Sequence, residues 1–224
     1  MAALPGGGSG FLVAADAGRV LRGGYSGPTA PPKAFRYDPR FARPSAAAAG
    51  LAATAGGGAL GGCAARVTCL AASPFAEEVF AAGQSDGAVL IYSARASSPA
   101  LAYLAAGRGG ILAVRWSPAR PCILLALDAA GDVLAFDLAD APLGGVGAGP
   151  AARATAEELG APGPAVSLDV SPRSKRGAPG TMALGFADGS AARHVLAEAL
   201  QAPGRGGAAA ELSALRSAVG LLLA

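Results

Sequence analysis

The sequence predicts an all-β fold, a partial β-propeller, and this prediction depends on three observations. One pattern of apolar run, Ser-Pro, apolar run, Asp/Gly turn and apolar run occupies residues 67–93 and recurs at residues 111–138. The prolines of the two Ser-Pro pairs, Pro74 and Pro118, are 44 residues apart. A third copy begins at Ala165. A period of about 40–45 residues with several short strands in each unit is typical of propeller blades.

Each repeat is expected to form a blade of antiparallel strands, named a to d from the first to the last. In the first full copy the pair Asp86-Gly87, the strongest short signal for a hairpin, falls between strands b and c. Strands b and c read as continuous apolar runs, which predicts burial on both faces between neighbouring blades. The predicted strands are Val67–Ala71, Val79–Ala82, Ala88–Tyr92 and Ala100–Ala105 in the first full copy, and Ile111–Trp116, Cys122–Leu127 and Val133–Phe136 in the second.

The turns between strands b and c are assigned a structural role. Aspartate accepts hydrogen bonds from backbone N–H groups of a turn, and glycine adopts the positive φ that such turns require. Trp116 ends a strand a, so it is expected to pack between blades rather than against a partner. The structural turn residues are Asp86, Gly87, Gly131, Asp132, Asp188 and Gly189.

The chain divides into seven predicted segments that contain about three and a half blades. Because such an arc does not close a ring and leaves sheet edges exposed, we hypothesise that it is a fragment of a longer chain. A one-turn helix is also expected at Ala156–Leu159. The segments are a disordered start at 1–10, a half blade at 11–43, a low-complexity Ala/Gly loop at 44–66, a blade at 67–106, a blade with a Pro/Gly-rich linker at 107–164, a blade at 165–207 and a C-terminal helix at 208–224.

Composition argues against several classes of protein. The formal net charge is +3 and no dense basic face with interleaved aromatic residues is visible, so we expect no nucleic-acid binding. The three cysteines form no CxxC pair, which predicts neither a disulfide framework nor a zinc site. Residues 46–65 are uncharged, but they are mostly Ala and Gly, so we expect no membrane span.

No constellation of residues predicts catalysis. His194 is the only histidine, and no GxSxG motif or cysteine in a recognisable context accompanies it. The Gly-rich run before Phe11 precedes a strand instead of following one, unlike a dinucleotide-binding loop. We therefore predict that the protein is not an enzyme and has no catalytic, cofactor-binding or metal-binding residues.

One basic cluster, formed by Arg173, Lys175 and Arg176, lies in the third copy of the repeat. A solvated loop explains such a cluster, and so does contact with an acidic surface of a partner protein. Both interpretations stay open from the sequence.

With these landmarks the chain resembles WD40-repeat proteins. Phe136-Asp137-Leu138 is similar to the Trp-Asp ending of strand c, although the Gly-His pair that usually precedes strand a is missing from all three copies. The strings SPFAEEVFAAGQSDGAVLIYS and ILAVRWSPARPCILLALDAAGDVLAFDL resemble the C-terminal blades of dynein intermediate chains. Within that family the resemblance is greatest to the longer intermediate chain of cytoplasmic dynein 2, the motor of retrograde intraflagellar transport.

The resemblance implies a non-catalytic scaffold located in the cytoplasm, the cytoskeleton and the cilium. Its expected partners are the dynein heavy chain and other dynein 2 subunits, which a propeller binds as a docking platform. An axonemal dynein intermediate chain, or another WD-repeat adaptor, is the alternative. Since the Gly-His pair is absent, the resemblance leaves open what replaces the buried hydrogen bonds that its histidine makes.

Overall fold

The computed structural model describes residues 1–3, 10–15, 18–24, 32–35, 65–104, 106–139, 141, 145–160, 162–171, 179–204 and 206–221. In these ranges the chain forms four antiparallel sheets, blades I to IV, followed by two helices. The strands within each sheet are adjacent in chain order. The first strands of blades II, III and IV contact one another in turn, so the blades are arranged side by side. The predicted partial propeller is confirmed.

The secondary structure consists of fifteen strands and two helices within the described ranges. Blade I contains β1 (Ala2–Ala3), β2 (Gly10–Ala15), β3 (Arg19–Gly24) and β4 (Lys33–Phe35). Blade II contains β5 (Val67–Ala72), β6 (Val79–Gln84), β7 (Val89–Ser93) and β8 (Pro99–Tyr103). Blade III contains β9 (Ile111–Trp116), β10 (Ile123–Asp128), β11 (Val133–Asp137) and β12 (Ala152–Ala154). Blade IV contains β13 (Ala165–Ser171), β14 (Thr181–Phe186) and β15 (Ala191–Val195), and the helices are α1 (Glu198–Gln201) and α2 (Gly207–Ala218).

Blades II and III follow the predicted pattern, and each predicted strand boundary lies within two residues of the observed one. Every residue of β6 and of β10 is buried, as the continuous apolar runs indicated. The turn glycines Gly87, Gly131 and Gly189 have φ angles of 84°, 86° and 84°. Glycine is needed there because this region of φ is strained for residues that carry a Cβ.

Blade I is more complete than the sequence indicated. Residues 1–10 were predicted to be disordered, but Ala2 and Ala3 form a strand that pairs with Leu12 and Phe11 of β2. With β4, blade I is therefore a four-stranded sheet and not a half blade. Two alanines give no alternation of apolar and polar residues, so their pairing leaves no signal in the sequence. Of the predicted Ala/Gly loop, all but residues 65 and 66 lie outside the described ranges.

Blade IV corrects the prediction that strands b and c are buried on both faces. In β14, Met182, Leu184 and Phe186 are buried, whereas the residues between them, such as Ala183, are partly or fully exposed. The reason is that one face packs on blade III and the other has no blade against it among the described residues. The helical turn predicted at Ala156–Leu159 is a single turn closed by the Leu159 N–H on the Thr155 carbonyl.

Three apolar clusters join the blades. Between blades I and II, the ring of Phe80 stacks on Tyr92 at a centroid distance of 5.0 Å and meets the edge of Phe35 at 4.9 Å. Between blades II and III, the core also takes in Leu215 of α2 and Val219, the residue just after it, so the predicted C-terminal helix packs across that junction. A third cluster, which includes Leu125 and Leu184, fills the junction of blades III and IV.

Candidate functional site

The described blades present two ends, and the strand order places each connection at one of them. Because the strands are antiparallel, the b–c turns and the d–a connections share one end, here called the turn end. The a–b and c–d connections lie at the other, here called the helix end because α1 and α2 contact it. The described connections of the turn end include 65–66, 85–88, 106–110, 129–132, 155–160, 162–164 and 187–190. Those of the helix end include 73–78, 94–98, 117–122, 138–139 and 145–151.

At the turn end, blade III holds a buried charge network around Asp132, whose side chain is 1% exposed. Its Oδ2 accepts hydrogen bonds from Nε and Nη2 of Arg108, at 2.9 and 2.6 Å, and from Nη1 of Arg153 at 3.0 Å. Arg153 also donates to the Ala106 carbonyl at 2.7 Å. Two guanidinium groups thus join strand d of blade III, the turn before β11 and the connection before β9.

Asp128 completes this network from the end of β10. Its Oδ1 accepts the N–H groups of Ala130 and Asp132 at 3.0 and 2.9 Å, and its Oδ2 accepts the N–H of Arg108 at 2.7 Å. In blade III, therefore, Asp128 makes the backbone hydrogen bonds that were predicted for Asp132. Burial alone would raise the pKa of the Asp132 carboxyl, but hydrogen bonds from Arg108 and from the Ala156 N–H outweigh it and hold that pKa below its usual value.

In blade III, Arg108 makes the hydrogen bond between connections that the histidine of the Gly-His pair makes in WD40 repeats. Gly107-Arg108 occupies the connection just before β9, which is the place of the Gly-His pair in WD40 repeats. Arg108 binds Asp132 of the b–c turn, so an arginine joins the d–a connection to that turn in this blade. Sequence reasoning missed this pair, since Arg108 and Asp132 are 24 residues apart and belong to different connections.

At the helix end, Arg120 and Glu211 fasten α2 to blade III. Oε1 of Glu211 accepts hydrogen bonds from Nε of Arg120 at 2.8 Å and from the N–H of Gly204 at 2.7 Å, and it forms an ion pair with Nη2 of Arg120 at 2.7 Å. The Cys122 thiol donates to the Glu211 carbonyl at 3.0 Å. Burial, together with the charges of Asp137 and Glu211, raises the pKa of Cys122 to about 12, so the thiol stays protonated at neutral pH.

The remaining predicted turn residues behave as local caps. Oδ1 of Asp86 accepts the Ala88 N–H at 3.1 Å, and Oδ1 of Asp188 accepts the N–H and hydroxyl of Ser190 at 2.9 and 2.6 Å. The hydrogen bonds from Ser190 hold the pKa of Asp188 below its usual value. Each of these hydrogen bonds lies within one turn, so these aspartates stabilise their own turns and do not join two blades through them.

Trp116 lies between blades, as its position in the repeat indicated. The residue is 5% exposed, and its indole N–H donates to the Ala71 carbonyl of blade II at 3.0 Å. His194 lies in β15 opposite Met182, on the face that packs towards blade III. Arg173, Lys175 and Arg176 are in the connection between β13 and β14 and lie outside the described residues.

A shallow cleft of about 250 Å³ opens on the outer rim between blades II and III. It is lined by Tyr103, Asp137, Ala141 and residues 147–151, and the Tyr103 hydroxyl donates to the Asp137 carbonyl at 3.3 Å. In the described part of the chain, no group of three His, Cys, Asp or Glu side chains is placed to hold a metal ion. None of the described helices is long and apolar enough to cross a membrane.

The fold defines the class of protein: the chain has WD40-type β-propeller blades. A chain of the crystal structure of the mitotic checkpoint complex superposes with a TM-score of 0.59 over 88% of this chain and 50% of that one, at 15% identity. This likeness shows the fold. No family model matches the sequence.

Sequence comparison adds a resemblance to the intermediate chains of cytoplasmic dynein 2. The chain is 33% identical to cytoplasmic dynein 2 intermediate chain 1 of Mus musculus over 82 residues, 36% of this chain. It is 25% identical to the Homo sapiens protein of that name over 137 residues, 61% of this chain. Against cytoplasmic dynein 2 intermediate chain 2 of Mus musculus it is 40% identical over 72 residues, 32% of this chain. The matches span 8%, 11% and 13% of these relatives, so the resemblance is confirmed for about a tenth of their length.

Proposed function

We propose that the chain is a non-catalytic WD-repeat scaffold subunit of the cytoplasmic dynein 2 motor complex. In this role it binds the dynein heavy chain for retrograde intraflagellar transport, and it works in the cytoplasm, the cytoskeleton and the cilium. One observation carries the proposal: the chain combines WD40-type blades with a sequence similar to both intermediate chains of dynein 2.

The proposed mechanism is binding by a rigid surface. Three apolar cores hold the described blades in sequence, and the network around Asp132 joins two connections of the turn end. Arg120 and Glu211 hold α2 at the helix end. Connections supported in this way lose little conformational entropy when a partner binds, which favours affinity without any chemical step.

The charges of the described network are neutralised internally, which favours a supporting role for them. Asp132 faces two arginines, and Arg120 faces Glu211 and, at 3.5 Å, Asp137. The basic cluster of Arg173, Lys175 and Arg176 lies in the connection between two strands of blade IV, and binding residues are concentrated in such connections. We propose that this cluster contacts an acidic surface of the dynein heavy chain.

Affinity capture from ciliated cells tests the assignment. The tagged chain of 224 residues is expected to enrich dynein 2 heavy chain and other dynein 2 subunits over an untagged control. Capture of axonemal heavy chains instead would support the alternative, an axonemal intermediate chain. If no dynein heavy chain is enriched, the proposed function is wrong.

A charge-reversal variant tests the contact separately. Replacing Arg173, Lys175 and Arg176 by glutamate is expected to reduce captured heavy chain by about tenfold or more, since like charges placed at an interface cost several kcal/mol. Arg66→Glu is the matched control, because Arg66 is exposed at the turn end and its backbone makes its hydrogen bonds to Ser85. Unchanged capture by the triple variant would remove the cluster from the proposal and leave the assignment in place.

A further inference from the structure

The chain contains four Ser-Pro pairs, and their serines differ in exposure. The serines are Ser73, Ser98, Ser117 and Ser171, each followed directly by proline. Ser73, Ser117 and Ser171 occupy the same place in the repeat, at the end of strand a of blades II, III and IV. Since proline-directed protein kinases modify a serine that precedes proline, the exposure of each pair decides which serines are accessible to such an enzyme.

The hydroxyls of Ser73 and Ser117 are buried and already hydrogen-bonded. Both residues are 0% exposed. Oγ of Ser73 accepts the Phe75 N–H at 3.3 Å. Oγ of Ser117 accepts the Arg120 N–H at 3.1 Å and donates to the Leu200 carbonyl at 2.9 Å. A phosphate at either position would bury a dianionic group and break these turns, so we expect neither serine to be modified in the folded chain.

Ser98 is half-buried, and the proline that follows it is buried. Pro99 begins β8 and pairs with Tyr92 of β7. A proline-directed kinase binds the ring of this proline together with the serine, so the pair would have to leave the sheet of blade II to react. Ser98 is therefore expected to be a poor substrate while blade II is folded.

Ser171 is the exposed member of the set. It is the last residue of β13 and pairs with Thr181 at the start of β14. Ser73 and Ser117 lie just beyond their strands and accept hydrogen bonds within the turn that follows. The residue before a proline favours an extended backbone, and the position of Ser171 in a strand agrees with this. Its exposure leaves room for a phosphate without burial of charge.

The sequence after Ser171 gives a phosphate there a consequence. Arg173, Lys175 and Arg176 follow two, four and five residues later, so residues 171–176 carry a formal charge of +3. A phosphoserine carries about −2 at neutral pH, which would lower the charge of this stretch to about +1. A phosphate also accepts strong hydrogen bonds from arginine, so it competes with an acidic partner for the same side chains.

We propose that Ser171 is phosphorylated by a proline-directed protein kinase, and that the phosphate weakens the contact of the basic cluster with an acidic partner. In this reaction Oγ of Ser171 bonds to the γ-phosphorus of ATP, the bond from that phosphorus to the bridging oxygen of ADP breaks, and the hydroxyl proton passes to a carboxylate of the kinase. The first part depends on the exposure of the four serines alone. The second part rests on the proposed function, since it takes the dynein heavy chain as the acidic partner.

Treatment of the purified chain with a cyclin-dependent kinase and ATP, followed by mass spectrometry, tests the first part. The rate at each serine is divided by the rate for a synthetic peptide of the same sequence. We expect Ser171 to react within about threefold of its peptide, and Ser117 at least about a hundredfold more slowly than its own. Ser171→Ala is the matched control and should remove the phosphate from the folded chain. Equal protection of Ser171 and Ser117, or reaction of both at the rates of their peptides, would overturn the proposal.

Affinity capture with the phosphorylated and the unmodified chain tests the second part. The phosphorylated chain is expected to capture about threefold less dynein heavy chain or lower, because the phosphate offsets most of the charge of the cluster. Kinase-treated Ser171→Ala should capture as much as the untreated chain. Equal capture by the phosphorylated and unmodified chains would overturn the effect of the phosphate and leave the proposed function in place. If neither form captures heavy chain, the proposed function and the second part are both wrong, whereas phosphate measured at Ser171 still supports the first part.

Discussion

The attachment of α2 to blade III gives a quantitative prediction for Glu211→Ala. The Glu211 and Arg120 side chains are 8% and 13% exposed, and three nitrogen atoms converge on Oε1 of Glu211 at 2.7 to 2.8 Å. Removing this carboxylate leaves the guanidinium of Arg120 largely buried with only the weaker contact to Asp137 at 3.5 Å and the Ala199 carbonyl.

The expected loss in the free energy of unfolding is about 3 kcal/mol, at the lower end of the range for breaking a buried ion pair. The lower end applies because Arg120 keeps two acceptors, and because the second carboxylate oxygen, Oε2, is buried without a hydrogen-bond partner among the described residues. Glu211→Gln keeps an acceptor at the same place, so its expected loss is smaller, about 1 kcal/mol.

Urea unfolding followed by tryptophan fluorescence measures these losses, since Trp116 is the single tryptophan and lies at the junction that α2 covers. Glu78→Ala is the matched control: its pair with Arg95 spans 3.5 Å with both side chains about half exposed, and its expected loss is below about 1 kcal/mol. A double-mutant cycle with Arg120→Ala is expected to give a coupling energy of about 2 kcal/mol. If Glu211→Ala costs no more than Glu78→Ala, burial does not strengthen this ion pair and the reasoning is refuted.

Three further predictions concern the turns and the blade junctions. Gly87→Ala and Gly189→Ala each place alanine at the same positive φ. A Cβ at Gly87 would lie 2.6 Å from a backbone carbonyl oxygen, whereas a Cβ at Gly189 would meet nothing within 4 Å. We therefore expect Gly87→Ala to lower the free energy of unfolding in urea by at least about 1 kcal/mol more than Gly189→Ala does. The pKa of Asp132 is lower in the folded chain than the unfolded value of about 3.9. The ionised carboxylate therefore contributes to the free energy of unfolding above about pH 4, and this contribution is lost as pH falls through the folded pKa. The stability difference between wild type and Asp132→Asn, measured against pH, should therefore shrink on acidification, and a constant difference would contradict this. Trp116→Phe removes the hydrogen bond to Ala71, and thermal unfolding by circular dichroism should show a loss of about 1–2 kcal/mol, whereas an unchanged midpoint would contradict the role of that bond.

The strands of blades II and III could be predicted from the sequence because their signals are local. Continuous apolar runs indicate strands buried on both faces, and Gly87 and Gly131 indicate turns that need a positive φ. These features are read within about ten residues of chain. The burial of Trp116 followed in the same way from its place in the repeat.

The charged contacts at both ends of the blades could not be predicted, since they depend on pairs distant in sequence. Arg108 is 24 residues from Asp132, and Arg120 is 91 residues from Glu211. An isolated arginine in a loop looks like a solvated charge until the fold brings a carboxylate to it. The alternation of β14 was missed for a related reason, because burial on its second face depends on a neighbouring blade and not on the strand itself.

The buried, protonated thiol of Cys122 allows the opening of α2 to be measured by cysteine alkylation. Thiol reagents react with the thiolate, and this sulfur lies under Glu211 with a pKa of about 12. Alkylation at Cys122 must therefore wait until α2 lifts from blade III, so its rate relative to that of an unfolded chain counts how often the helix departs. With the modified cysteine identified by mass spectrometry, such a measurement would report the opening of one element in an otherwise folded molecule, and it needs no engineered probe.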